Sequence, residues 1–214
     1  YEDGWAVGKP CENVVIRRCR TRRGHGGVVF GSEMSAGIRN VFVQDCRFEG
    51  TDRGIRFKSL PGRGGFIENI WLQDLALERI IGAAVHITLR YGKPDSLTGK
   101  QPRLKNIQIC RLTCAQAKQA VVIEGVAENF VEDVLLEDVS ITARQGLVAE
   151  CVRGLRLKRV DLRAKAGPVY RLRDCQQVAF NDCACPPGTD VFVRLEGAAT
   201  RGIRLGGPNP KQAR

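Results

Sequence analysis

The stretch Asn69-Ile70-Trp71-Leu72-Gln73-Asp74-Leu75-Ala76-Leu77 holds Ile70, Leu72, Leu75 and Leu77 at offsets one, three, six and eight from its leading Asn. A spacing of two is the side-chain period of a strand, and the single skip from offset three to offset six marks a bend that resets which face points inward. The same phrase returns on both sides. Asn40 leads Val41, Val43, Cys46 and Phe48; Asn13 leads Val14, Ile16, Cys19 and Thr21; Asn106 leads Ile107, Ile109, Leu112 and Cys114. Asp133 (Val134, Leu136, Val139, Ile141), Gly154 (Leu155, Leu157, Val160, Leu162) and Gln177 (Val178, Phe180, Cys183, Cys185) continue it, and Thr21 alone at these positions is not apolar. Leads between 21 and 37 residues apart lie in the range where self-similarity signals a solenoid. The expected fold is therefore all-β, a right-handed single-stranded parallel β-helix with one phrase per coil.

A shorter phrase sits between the leads. Gly27–Phe30, Gly54–Phe57, Ala84–Ile87, Ala120–Ile123, Gly146–Ala149 and Pro168–Arg171 supply a further strand per coil. With coils stacked about 4.8 Å apart, equivalent residues form ladders along the axis. Asn13, Asn40, Asn69 and Asn106 suit such a ladder, because their amides can hydrogen-bond to one another and tolerate a left-handed turn. The solenoid is expected over residues 1–205, with 206–214 as a loose tail in which Pro208 and Pro210 cannot continue a ladder. The first coil begins almost at once, at Asn13, with little before it to cover an open edge, so further residues are expected upstream.

Composition narrows the partners. A hydrophobic fraction of 43% and a charged fraction of 27% leave no apolar run long enough to span a bilayer, and no membrane role is expected. A net charge of +11 favours a polyanion. Lys and Arg are spread through every coil and aromatics make up only 6%, which gives no base-stacking surface, so an acidic polysaccharide is expected rather than nucleic acid. The nine Cys form no C-x-x-C pair, and Cys19, Cys46, Cys114, Cys183 and Cys185 occupy inward positions. Cys there acts as a small hydrophobe, so buried free thiols are expected, with neither a metal centre nor a cofactor.

Aligning the short phrases places Val29, Arg56, His86 and Val122 on one outward ladder and Gly31, Lys58, Thr88 and Glu124 on the next. Arg56 and Lys58 then point the same way. Gly24-His25-Gly26-Gly27 brings an imidazole to the strand start one coil before them, and Tyr91 closes the strand one coil after. A guanidinium can clamp a carboxylate through its fork and an ammonium as a point charge, while Tyr packs on a ring and His exchanges a proton. His86, inside an apolar strand, reads as structural.

These residues resemble a known family. Gly24-His25-Gly26, then Gly31-Ser32-Glu33, Arg56-Phe57-Lys58 and Tyr91 are similar to the G-H-G and R-I-K motifs of glycoside hydrolase family 28, the polygalacturonases, with Phe57 standing at the middle of the second. The resemblance implies a right-handed parallel β-helix that hydrolyses α-1,4-galacturonan or related pectic chains with inversion. It implies that His25 sits beside the catalytic aspartates, that Arg56 and Lys58 hold a galacturonate carboxylate, that Tyr91 contacts the sugar, and that Glu33 is a subsite residue. It also implies an extracellular or periplasmic setting; separately, a monomer is expected.

The family carries an Asn-Thr-Asp motif and an Asp-Asp pair before G-H-G, and neither occurs here. Inverting hydrolysis needs one carboxylic acid and one carboxylate. Asp3, Asp45 and Asp52 do not replace them, since Asp45 sits at a repeat bend and Asp52 in the turn before Arg56. The chain is thus expected to be the C-terminal portion of a longer catalytic domain, inactive alone. Two rivals stand beside this reading. One is a noncatalytic solenoid that binds acidic polysaccharide. The other is a pectate lyase, which needs clustered carboxylates for calcium on one outward ladder, where the phrases align none.

Overall fold

The computed structural model describes residues 2–92 and 99–207. One short helix, α1 (Glu2–Val7), precedes strands β1 (Cys11–Arg17), β2 (Arg20–Arg22), β3 (Val28–Phe30), β4 (Ile38–Glu49) and β5 (Ile55–Lys58). Next come β6 (Phe66–Glu78), β7 (Ile80–Thr88), β8 (Arg103–Glu124), β9 (Val131–Glu150) and β10 (Val152–Arg153). Strands β11 (Arg156–Arg173), β12 (Gln176–Asn181), β13 (Val193–Glu196) and β14 (Arg201–Gly206) complete the order. Pairing between the named strands is parallel throughout, each coil laid on the one before. The molecule is a right-handed parallel β-helix, the hand that parallel crossovers take in almost every case.

The nine-residue phrase has a backbone cause. Each lead, from Asn13, Asn40, Asn69 and Asn106 through Asp133, Gly154 and Gln177, has a positive φ, and so does the residue five places on: Arg18, Asp45, Asp74, Arg111, Asp138, Arg159 and Asp182. A single left-handed residue between two extended pairs turns the chain and swaps the inward parity, which is the skip seen in the sequence. The apolar positions then stack in register, Val14 on Val41, Ile70, Ile107 and Val134. Most of the stack is fully buried, with Phe48 and Phe57 among its largest members. The Asn ladder forms as expected: Asn40, Asn69 and Asn106 each donate through Nδ2 to the Oδ1 of the Asn one coil earlier, at 3.1, 3.2 and 2.8 Å. The second corner carries charge instead, and Arg111 and Arg159 fork onto Asp74 and Asp138.

Several features differ from the sequence expectations. An eighth lead exists at Gly202, whose strand β14 sets Ile203 beside Val178 and Leu205 beside Phe180. The strand runs through Gly206, and the tail residues Pro208, Asn209 and Pro210 lie outside the described residues. The last short phrase is displaced by one residue. Tyr170 pairs with Leu147, so Val169–Leu172 rather than Pro168–Arg171 continues the ladder, because the register slips between Ala166 and Tyr170 where Gly167 is left-handed and Pro168 has no N–H. Cys46 and Cys114 are buried as expected, but Cys19 and Cys185 are exposed and Cys183 is half-buried: Cys19 lies on the first coil, and among the described residues β14 ends at Gly206, before the positions that would stack on Cys183 and Cys185. Cys151 and Cys175, outside the template, are buried, and all nine thiols are free. Helix α1 lies against the flank, where Trp5 Nε1 donates to the Arg63 carbonyl at 3.1 Å.

Candidate functional site

The short strands carry the site, and two glycines let them approach the core. A Cβ on Gly27 would collide with the Phe48 ring of β4 and one on Gly54 with Leu77 of β6, so any side chain at either glycine would push β3 away from β4 and β5 away from β6. Their register matches the sequence alignment. Val29, Arg56, His86 and Val122 form one outward ladder, which continues through Val148 to Arg171 and Arg194. Lys58, Thr88 and Glu124 form the next, continuing through Glu150 and Arg173 to Glu196.

Arg56, Lys58 and Tyr91 meet. The Tyr91 amide donates to the Ser59 carbonyl at 3.1 Å, which brings its ring back over β5. Lys58 Nζ lies 4.5 Å and Arg56 Cζ 5.2 Å from the ring centroid, within cation–π range. A third cation, Arg63, stands 6.0 Å from the same centroid, and its guanidinium is 3.8 Å from a Glu33 carboxylate oxygen. Glu33 therefore joins the cluster through Arg63. Sequence reasoning missed Arg63, because it arrives on the turn after β5 rather than on a ladder. Among the described residues neither Arg56 nor Lys58 makes an ion pair, and the buried Arg56 Nε has no hydrogen-bond partner. A buried, unpartnered guanidinium nitrogen is costly unless something binds it.

His25 stands at the border of this cluster. Its neighbour Gly26 would place a Cβ 3.9 Å from Arg56 Cβ, yet the imidazole itself is 93% exposed. Its Nδ1 lies 2.9 Å from Asp52 Oδ2. Asp52, set aside on sequence as a turn residue, thus has an imidazole partner; a proton held on Nδ1 leaves Nε2 open to solvent.

Farther along the ladders the charges close on themselves. Arg53 Nε donates to His86 Nδ1 at 3.2 Å, and His86 Nε2 lies 3.3 Å from Glu124. Glu124 and Glu150 share an outward ladder on adjacent rungs, which corrects the expectation that no carboxylates align there. Neither is open, however. The hydrogen bond from His86 holds the Glu124 carboxyl below the ordinary carboxylate range, and the Arg90 fork does the same to Glu150. Near His25, Arg20 and Arg79 hold Glu49 low. A general acid needs a raised carboxyl, and these are lowered.

The sequence profile of Glycosyl hydrolases family 28 matches residues 2–154. The chain is 28% identical over 144 residues to a probable polygalacturonase of Vitis vinifera, covering 65% of this chain and 29% of that protein. It is 35% identical over 83 residues to an exo-poly-alpha-D-galacturonosidase of Dickeya chrysanthemi, covering 39% of this chain and 14% of that protein. Among solved structures it superimposes on a hyperthermoactive exopolygalacturonase from Thermotoga maritima with a TM-score of 0.70 and 31% identity, over 77% of this chain and 37% of that one. The chain thus spans less than a third of the length of these two curated relatives.

Proposed function

The chain belongs to family 28 of the glycosyl hydrolases, and from that membership we propose that it is the sugar-acid-holding part of a polygalacturonase-type enzyme that degrades pectin. Arg56 forks onto a galacturonate carboxylate, Lys58 adds a point charge, and Tyr91 packs on the pyranose and donates its hydroxyl. Arg63, anchored by Glu33, adds positive potential at the rim. The exposed Nε2 of His25, oriented through Asp52, faces the neighbouring glycosidic region and stabilises the charge that develops there. Protonation of the leaving oxygen and activation of water fall to carboxylates outside this chain, because the nearby Glu49 is held ionised by arginines and Asp52 is engaged by His25. A polymer substrate fits an enzyme working outside the cytoplasm.

The observation that carries this reading is the trio of cations around Tyr91 with the Arg56 Nε left unpartnered. Titration of the chain with galacturonic acid, followed by NMR, tests it: the Tyr91 ring signals shift, and the response disappears in the Arg56→Ala/Lys58→Ala variant. Binding that survives the double substitution refutes the clamp. The lowered carboxyls favour a second reading of the isolated chain, a module that binds galacturonan without cutting it. Reducing-sugar release from polygalacturonate by this chain, abolished by His25→Ala, would overturn that reading and require an acid and base within it.

A further inference from the structure

A groove of about 590 Å³ borders His25 and is lined also by Arg22, Arg23, Arg79, Glu49, Asp52 and Ile81. Its shape follows from a ladder. Arg22 pairs with Glu49, and Glu49 with Glu78, so Arg23, Gly50 and Arg79 are equivalent left-handed corners of three successive coils. The middle corner has no side chain, and a Cβ there would meet nothing closer than Arg23 Cγ at 3.9 Å. Two arginines two rungs apart, about 10 Å by coil spacing, thus flank an open slot. Ile81 lies in the same groove with 63% of its surface exposed, an apolar patch beside cations.

Charge in the groove is unbalanced. Glu49 takes Arg20 and Arg79, with Arg22 3.9 Å away, while Asp52 takes His25. Arg23 makes no ion pair among the described residues, and Arg22 has only that distant one. A carboxylate with an attached ring is the ligand chemistry that this combination recognises: guanidinium groups for the acid and a methyl-rich surface for the C–H face of a sugar. Asp52, in this groove, is four residues before Arg56, at most about 14 Å away along an extended chain.

We propose that the slot between Arg23 and Arg79 is a second uronate-binding subsite, which takes another acidic sugar of the same pectic chain whose neighbour is clamped by Arg56, Lys58 and Tyr91. The proposal rests on the reading of the Tyr91 cluster given above. Glu49 holds Arg79 and Arg20 in place and limits the affinity of the slot by competing for them. The two sites are linked in one ligand, so their affinities multiply for an oligomer and act separately for a monomer.

Calorimetry of the whole chain with galacturonic acid and with trigalacturonate separates the sites. The trimer is expected to bind at least about tenfold more tightly than the monomer, and Arg23→Ala/Arg79→Ala removes that advantage while leaving monomer affinity within about twofold. Glu49→Gln frees Arg79 and tightens the trimer, a gain that a misfolded variant cannot mimic. Arg56→Ala/Lys58→Ala abolishes monomer binding. A trimer that binds no better than the monomer, or an advantage that survives the Arg23/Arg79 double substitution, overturns the second subsite and leaves the Tyr91 clamp standing. Absence of binding by either probe, or monomer binding indifferent to Arg56 and Lys58, overturns both.

Discussion

Coil two and the coils beyond it use the same pair of outward ladder positions in opposite ways. At Arg56 and Lys58 two cations stand side by side over Tyr91, and among the described residues no carboxylate is bound to either. At the equivalent positions farther along, His86 is closed between Arg53 and Glu124, Glu150 by Arg90, and Arg171 and Arg173 by Glu196. One scaffold therefore presents an open charge pair and a row of internally neutralised ones. What differs is the partner on the next rung: Arg56 and Lys58 are followed by His86 and Thr88, whereas Arg173 is followed by Glu196. An open cation pair attracts an anionic ligand, and a closed pair adds only modestly to the stability of the stack.

Four experiments break or sharpen that contrast. Phe57, fully buried between the open cations and stacked 4.5 Å from Phe30, belongs to the scaffold beneath them; Phe57→Ala should cost about 3–5 kcal/mol in urea unfolding and remove binding together with stability. Arg56→Ala separates the two properties. It should weaken galacturonate binding by about 10- to 100-fold, the loss of a hydrogen bond to a charged group, with unfolding unchanged, whereas Arg171→Ala at a closed rung leaves binding intact.

Asn69→Ala acts on the corner shared by both regions. It removes two ladder hydrogen bonds and puts a Cβ-bearing residue without a compensating amide at φ 57°, for an expected loss of about 1–2 kcal/mol in the unfolding midpoint, which Asn69→Gly partly restores. The smallest effect depends on pH. His86 lowers the Glu124 carboxyl from its ordinary 4.5, so the pairing stabilises the fold fully above that pH, and the benefit fades as pH falls through the lowered value. Melting temperatures measured between pH 7 and pH 3 should therefore fall less steeply below 4.5 in Glu124→Gln than in the unaltered chain.

Much of this was legible before any coordinates. Inward ladders leave a period because every coil must bury the same stripe, and left-handed corners leave Asn, Asp and Gly because few other residues accept that backbone. Outward alignment of Arg56 with His86 and Lys58 with Thr88 followed from the register alone. The rest depends on turns. Arg63 reaches Tyr91 from an irregular loop, and His25 finds Asp52 across a coil corner, where spacing carries no period. Gly202 was hidden because offsets six and eight from it fall on Pro208 and Pro210, so that only Ile203 and Leu205 of its phrase fit the pattern. The slip at Pro168 was hidden for a related reason: one extra residue in a bulge changes parity without changing composition.

Because each coil touches only its neighbours, the molecule has no centre whose loss would bring down the whole. Stretched along its axis between the ends of β1 and β14, it should yield like a zipper, one rung releasing before the next bears load. A tear of that kind that begins at β14 would leave the arginine and lysine over Tyr91 intact until most of the thread had run out.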